Sequence, residues 1–129
     1  MTREEFIEIL EDKGYSYNLE GNKIVVTYGG YVNLRPLETL PLGVVFKGEK
    51  SVDLESLKTL PPDAEFRNGK DVLLGSLKTI PPGVVFDNGS SVWLRSLYGG
   101  WFKDWSGNIE GISSKILLNK MIKNGVFYR

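Results

Sequence analysis

The chain has no cysteine and no histidine. Without thiols there are no disulfides, zinc–thiolate sites or thiol nucleophiles. Without imidazole, the commonest general base and metal ligand is missing. Net charge is missing too: 16 Lys and Arg offset 16 Asp and Glu, with a pI near 6.3, so affinity driven by phosphate contacts is not expected. No apolar run approaches the ~18–20 residues of a membrane span. The N-terminus carries Glu4, Glu5 and Glu8 where a secretory leader would be basic, so a cytoplasmic protein without a leader or membrane association is expected. These absences argue against most enzymes, and a non-catalytic protein without cofactor or metal is expected. What remains is ordinary globular usage. The 129 residues, 41% hydrophobic and 25% charged, make about one domain without a disordered tail.

The dominant feature is an internal repeat. Blocks of twenty starting at Tyr31 read YVNLRPLETLPLGVVFKGEK, SVDLESLKTLPPDAEFRNGK and DVLLGSLKTIPPGVVFDNGS, then the half block SVWLRSLY. They align without insertion or deletion on V-x-L-x-x-L-x-x-[LI]-P-x-x-[VA]-x-F. The columns Val32/Val52/Val72/Val92, Leu34/Leu54/Leu74/Leu94 and Leu37/Leu57/Leu77/Leu97 are apolar. So are Leu40/Leu60/Ile80, Val44/Ala64/Val84 and Phe46/Phe66/Phe86. Alternation in V-x-L and again in V-x-F is the period of a strand buried on one face. Pro41, Pro61 and Pro81 forbid a long helix between them. Asn68-Gly69 and Asn88-Gly89 mark turns in which a positive φ is cheap. Each block is therefore one coil with two short strands. A single coil cannot bury its own apolar face, which is the logic of a solenoid.

The run L-x-x-[LI]-P after a V-x-L strand resembles a leucine-rich repeat of the short LP-containing kind seen in bacterial and phage proteins. The resemblance covers Tyr31 to Tyr98, about half the chain. The usual pattern has an Asn that ties the loop backbone. Here the spacing from Leu54 to Leu57 is one residue shorter, and Ser56 or Ser76 sits near that place. A flatter parallel β-solenoid with two strands per coil is the competing geometry. The resemblance implies a protein-binding module, such as a small phage- or bacterium-encoded protein that inhibits or titrates a host protein.

The flanks read as caps. Thr2 with Glu5 forms a capping box, and Met1 is placed to staple onto Phe6. Phe6, Ile7 and Leu10 make the apolar stripe of a first helix, which Gly14 stops. A hairpin follows around Glu20-Gly21-Asn22, and Ile24–Tyr28 falls in register with the V-x-F strands as a first rung. After Tyr98 comes the aromatic, Gly-rich run WFKDWSGNIEGI. SSKILLNKMIKNG then reads as a second helix. Ser113 is its expected N-cap, Ile112 and Leu117 a staple, and Leu117, Leu118, Met121 and Ile122 its buried stripe, with Val126 and Phe127 tucked onto the last coil. The expected architecture is mostly β: one domain over 1–129, with a cap over 1–30, three and a half repeats over 31–98 and a loop and helix cap over 99–129. Residues 1–14 carry a net charge of −3 and residues 115–129 a net +4. Such a dipole could orient a partner, although solvated helix faces explain it equally.

Candidate chemistry is sparse. Asp53 and Glu55 share one strand face and could serve a hydrolase or a cation. No other coil repeats the pair, so a solvated strand face is the plainer reading. No glycine pattern marks a phosphate loop. Lys103 among Trp101, Phe102 and Trp105, with the basic last helix, is the only hint of nucleic-acid binding, and zero net charge argues against it. The x column of V-x-L is more informative. Asn33, Asp53, Leu73 and Trp93 should stack on one outward face, turning from polar to apolar toward Tyr98, Trp101 and Trp105. Aromatic side chains dominate protein interfaces. The expected function is thus non-catalytic protein binding through Asp53, Glu55, Leu73, Trp93, Arg95, Tyr98 and Trp105, by a monomer or weak homodimer. The alternative is carbohydrate binding, with Trp93 stacking on a sugar and Asp53 accepting its hydroxyls. Trp101, Phe102 and Trp105 could equally cover the last coil.

Overall fold

A computed structural model describes residues 1–97 and 114–127. The chain runs α1 (Arg3–Asp12), β1 (Tyr17–Glu20), β2 (Lys23–Val26), β3 (Val32–Asn33), β4 (Val44–Phe46), β5 (Val52–Asp53), β6 (Glu65–Phe66), β7 (Val72–Leu73), β8 (Val85–Phe86), β9 (Val92–Trp93) and α2 (Lys115–Lys123). The strands build two sheets, in the orders β1-β2-β4-β6-β8 and β3-β5-β7-β9. Only the β1–β2 hairpin is antiparallel; every other pair is parallel. This is a β-solenoid of about four turns with a helix at each end of the described chain.

The twenty-residue period sets the register. Val32, Val52, Val72 and Val92 are paired one above the next, and so are Ile24 with Val44 and Val26 with Phe46. The hairpin strand β2 is therefore the first rung. The inward columns are buried together in one cluster, except that Leu37 and Leu97, at the two ends of their column, are only partly buried against it. Within it Phe46, Phe66 and Phe86 stack at centroid separations of 5.3 and 4.9 Å, nearly parallel at 10° and 9°, because identical side chains recur at identical positions one rung apart. Each coil thus contributes two short strands, one to each sheet of a parallel β-solenoid.

The turn after each Phe differs from expectation. Gly69 and Gly89 are not among the glycines with positive φ. They are needed for close approach: a Cβ at Gly69 would meet the carbonyl oxygen of Glu49, and one at Gly89 that of Gly69. Among the described residues, no side-chain hydrogen bond from Ser56 or Ser76 ties a loop. Asn68 and Asn88, both buried, hold that role. The Asn68 amide donates to the carbonyls of Lys50, Lys70 and Asp71, and the Asn88 amide to those of Lys70, Ser90 and Ser91. Each therefore ties its own turn and the turn of the coil before it.

The caps close the core. α1 starts on the Thr2/Glu5 capping box, buries Phe6 and Leu10 completely, and ends where Gly14 takes a φ of 71°. The N-cap of α2 is Ser114, not Ser113, its hydroxyl accepting from the Leu117 amide. Leu118, Met121 and Ile122 are buried as expected, but Leu117 is 42% exposed and Ile116 87% exposed, so the buried stripe excludes Leu117. Ile112 and Ser113 lie outside the described residues. Phe127 is buried, and its carbonyl accepts from the Ile80 amide at 3.0 Å.

Candidate functional site

The x column forms as expected, with Asn33, Asp53, Leu73 and Trp93 paired along β3, β5, β7 and β9. Its chemistry differs between the two ends. Asn33 Oδ1 accepts from the Arg35 amide at 3.1 Å, and Asp53 Oδ1 from the Glu55 amide at 3.1 Å. Both side chains fold back onto the corner that follows their strand. Asp53 is only 4% exposed. The Tyr31 hydroxyl donates to its Oδ2 at 2.7 Å, and Arg35 Nε lies 4.0 Å from the same oxygen. Burial, and then the bond to Asp53, pushes the Tyr31 hydroxyl up to about 12, so it remains a donor at neutral pH. A solvated Asp53 is therefore corrected: its carboxylate is consumed by the fold.

Glu55 is not solvated either. Its Oε2 accepts from Arg95 Nη2 at 2.6 Å, two coils away. That reach works because the residue between them is Gly75. A Cβ there would collide with Glu55 Oε2 and crowd the Arg95 guanidinium. Arg95 itself stays largely exposed. Glu55, Leu73, Trp93 and Arg95 together line a shallow concavity of about 270 Å³. Trp93 is 36% exposed, but it is not loose. Its indole N–H donates to Asp71 Oδ2 at 3.2 Å, while Asp71 Oδ1 accepts from the Ser91 amide at 2.9 Å. Burial works against the Asp71 carboxylate, yet bonds from Ser90, the Ser91 amide and Trp93 carry it below its ordinary value. It is thus an ionised anchor for the indole.

Of the expected site, four residues converge here, and Asp53 does not join them. Tyr98 and Trp105, with Trp101 and Phe102, lie outside the described residues. Asp71 and Gly75 were not anticipated. A signal for Asp71 existed: Tyr31 reaches Asp53 and Asp71 reaches Trp93 at the same separation of 22 residues, which is one period plus the step from the column before Val to the column after it. Among the described residues no cluster of carboxylates could hold a metal ion, and no helix is long and apolar enough to cross a membrane.

Comparison with family models, with curated proteins and with solved structures gives no match. What the face does chemically is accordingly argued from its own atoms. It offers a fixed aromatic plate, an aliphatic neighbour, and a guanidinium with hydrogen-bond donors to spare beside a carboxylate.

Proposed function

We propose that the protein is a non-catalytic binding module that engages another protein through the β7–β9 end of this face. The observation that carries the reading is the convergence of Glu55, Leu73, Trp93 and Arg95 on one concavity. Trp and Arg are the residue types that anchor protein interfaces, and a held side chain loses little entropy on binding. Arg95 is pre-positioned by Glu55 and Trp93 by Asp71. The leucine-rich-repeat-like pattern supports a binding role, and a small titrating inhibitor of a host protein is the finer form of the proposal. Sugar binding through Trp93 and Asp53 is less favoured, since both Asp53 oxygens are already engaged.

The experiment compares immobilised wild type with Trp93→Ala and Arg95→Glu in extracts of the native host. Melting temperature is measured on the same samples. A partner retained by the wild type should be released by both variants while they remain folded, with Trp93→Ala weakening binding by ~2–4 kcal/mol and Arg95→Glu melting lower because its carboxylate faces Glu55. Equal retention by a folded Trp93→Ala protein removes the face from consideration.

A further inference from the structure

The four strand edges of the two sheets are treated unequally. In β8 the Val85 and Asp87 amides bond back to Ala64 and Phe66, so the N–H and C=O of Phe86 face outward. Asn119 of α2 satisfies both: its Oδ1 accepts from the Phe86 amide at 2.8 Å and its Nδ2 donates to the Phe86 carbonyl at 2.6 Å. One side-chain amide stands in for a further strand. In β3 the outward amide of Asn33 donates to the Tyr15 hydroxyl at 3.0 Å.

Among the described residues, none caps β1 in this way. The β2 groups that bond toward β4 belong to Ile24 and Val26, since the Ile24 amide donates to Gly43 and the Lys47 amide to Val26. The pairs joining β2 to β1 are therefore Val25 with Asn18 and Lys23 with Glu20. The Thr27 amide donating to the Ser16 carbonyl fits this alternation. The backbone groups of Tyr17 and Leu19 then point away from the sheet. Cross-strand partners share a face, so Tyr17 and Leu19, opposite the buried Val26 and Ile24, lie on the inner face, with Asn18 and Glu20 on the outer. Leu19 is nevertheless 55% exposed, because the inner layer stops one strand short.

The chain leading into and through this edge is acidic: residues 1–20 hold six carboxylates and two cations, with Glu20 on the edge itself, while Lys23 opposite it on β2 is engaged by Glu65. Edge strands are often blunted with lysine, proline or a bulge; the four residues Tyr17–Glu20 have none of these and carry one charge, Glu20 at the end. Pairing of two copies edge to edge would bring two such acidic ends together, which Coulomb repulsion opposes.

We infer that β1 is a second binding site, which takes an extended basic segment of another protein as a sixth strand, with apolar residues over Leu19 alternating with Lys or Arg beside Glu20. This site is independent of the Trp93 face. The outward N–H and C=O groups of Tyr17 and Leu19 supply the main-chain bonds, and side-chain alternation supplies selectivity.

The probe is the peptide acetyl-KVKVKVK-amide, with acetyl-EVEVEVE-amide as the control, titrated into the full chain while backbone amide exchange is followed by NMR. Binding of the basic peptide should slow exchange at Leu19 and Tyr17 at least ~10-fold and leave Trp93 unmoved. Affinity should fall at least ~10-fold in Leu19→Pro. This substitution deletes an outward N–H without breaking the β1–β2 ladder, as proline is tolerated on edges. Affinity should also fall several-fold in Glu20→Lys, and the acidic peptide should not bind. If Leu19→Pro does not fold, protection of the wild-type Leu19 amide decides the matter. Three outcomes overturn the proposal: no binding of the basic peptide, binding that leaves Leu19 unprotected, or self-association of the wild type through β1, which would make the occupant a second copy.

Discussion

At the scale of single residues, a few polar side chains hold what the apolar columns cannot. Asn88 is the clearest. Its buried amide donates to three carbonyls from two successive turns, and an unpaired buried carbonyl costs about 1–3 kcal/mol. Asn88→Ala should therefore lower unfolding free energy by about 1–3 kcal/mol in denaturant titrations, and Asn88→Asp, which lacks the amide donor, should not restore it. No loss in the alanine variant would mean that the turns hold themselves. Glu65 gives a pH-dependent counterpart. The Lys23 ammonium bonded to it at 2.9 Å, helped by Arg67 against some burial, holds its carboxyl below the usual value. A depressed carboxylate stabilises the fold above the unfolded value, ~4.3, and that contribution is lost as pH falls through the folded one. The stability advantage of wild type over Glu65→Gln should hold at pH 7 and shrink as the pH falls below ~4.3 and through the lower folded value. A gap that does not change with pH across that fall would assign Glu65 a packing role instead.

Elements depend on how their edges end, and this is where sequence and structure part. The repeat strands and their register were legible because the columns recur at a fixed interval of twenty, and the two helices because capping and stop residues bracket their apolar stripes. Nothing periodic marks Asn119 as the surrogate strand beside β8, or Tyr15 as the cover of Asn33. Caps occur once, so they leave no column to read. The polar-to-apolar trend of the x column was legible, but not that the Asn33 and Asp53 side chains fold onto the corner that follows their strands. The edge of β8 offers a direct check. Asn119→Ala should bare Phe86 N–H and C=O, cost about 1–3 kcal/mol, and raise the tendency to associate through that edge. Sedimentation at increasing concentration would register the association. A variant as stable and as monomeric as wild type would show that α2 covers β8 by apolar packing alone.

For the whole molecule, the absence of insertions between coils has an energetic consequence. In a solenoid each repeat leans only on its neighbours, so stability is close to a sum of coil and interface contributions. Removing residues 51–70 joins Lys50 to Asp71 and leaves every column in register: Val32 under Val72, Leu34 under Leu74, Phe46 under Phe86. The shortened chain loses the Glu65 and Glu55 ion pairs and the Tyr31–Asp53 bond, together with one layer of the phenylalanine stack. It should still fold to a cooperative β-rich state, with a lower melting temperature than the full chain. Removing only residues 51–60 deletes half a coil and would bring Ala64-Glu65-Phe66 two places past the position where the other sheet needs V-x-L. That variant should fail to fold, since the two sheets have different neighbours and different corners. Circular dichroism and thermal melts of the two deletions would separate the cases. If the twenty-residue deletion unfolds as completely as the ten-residue one, the coils are not interchangeable, and the stability of the stack resides in its two helical ends.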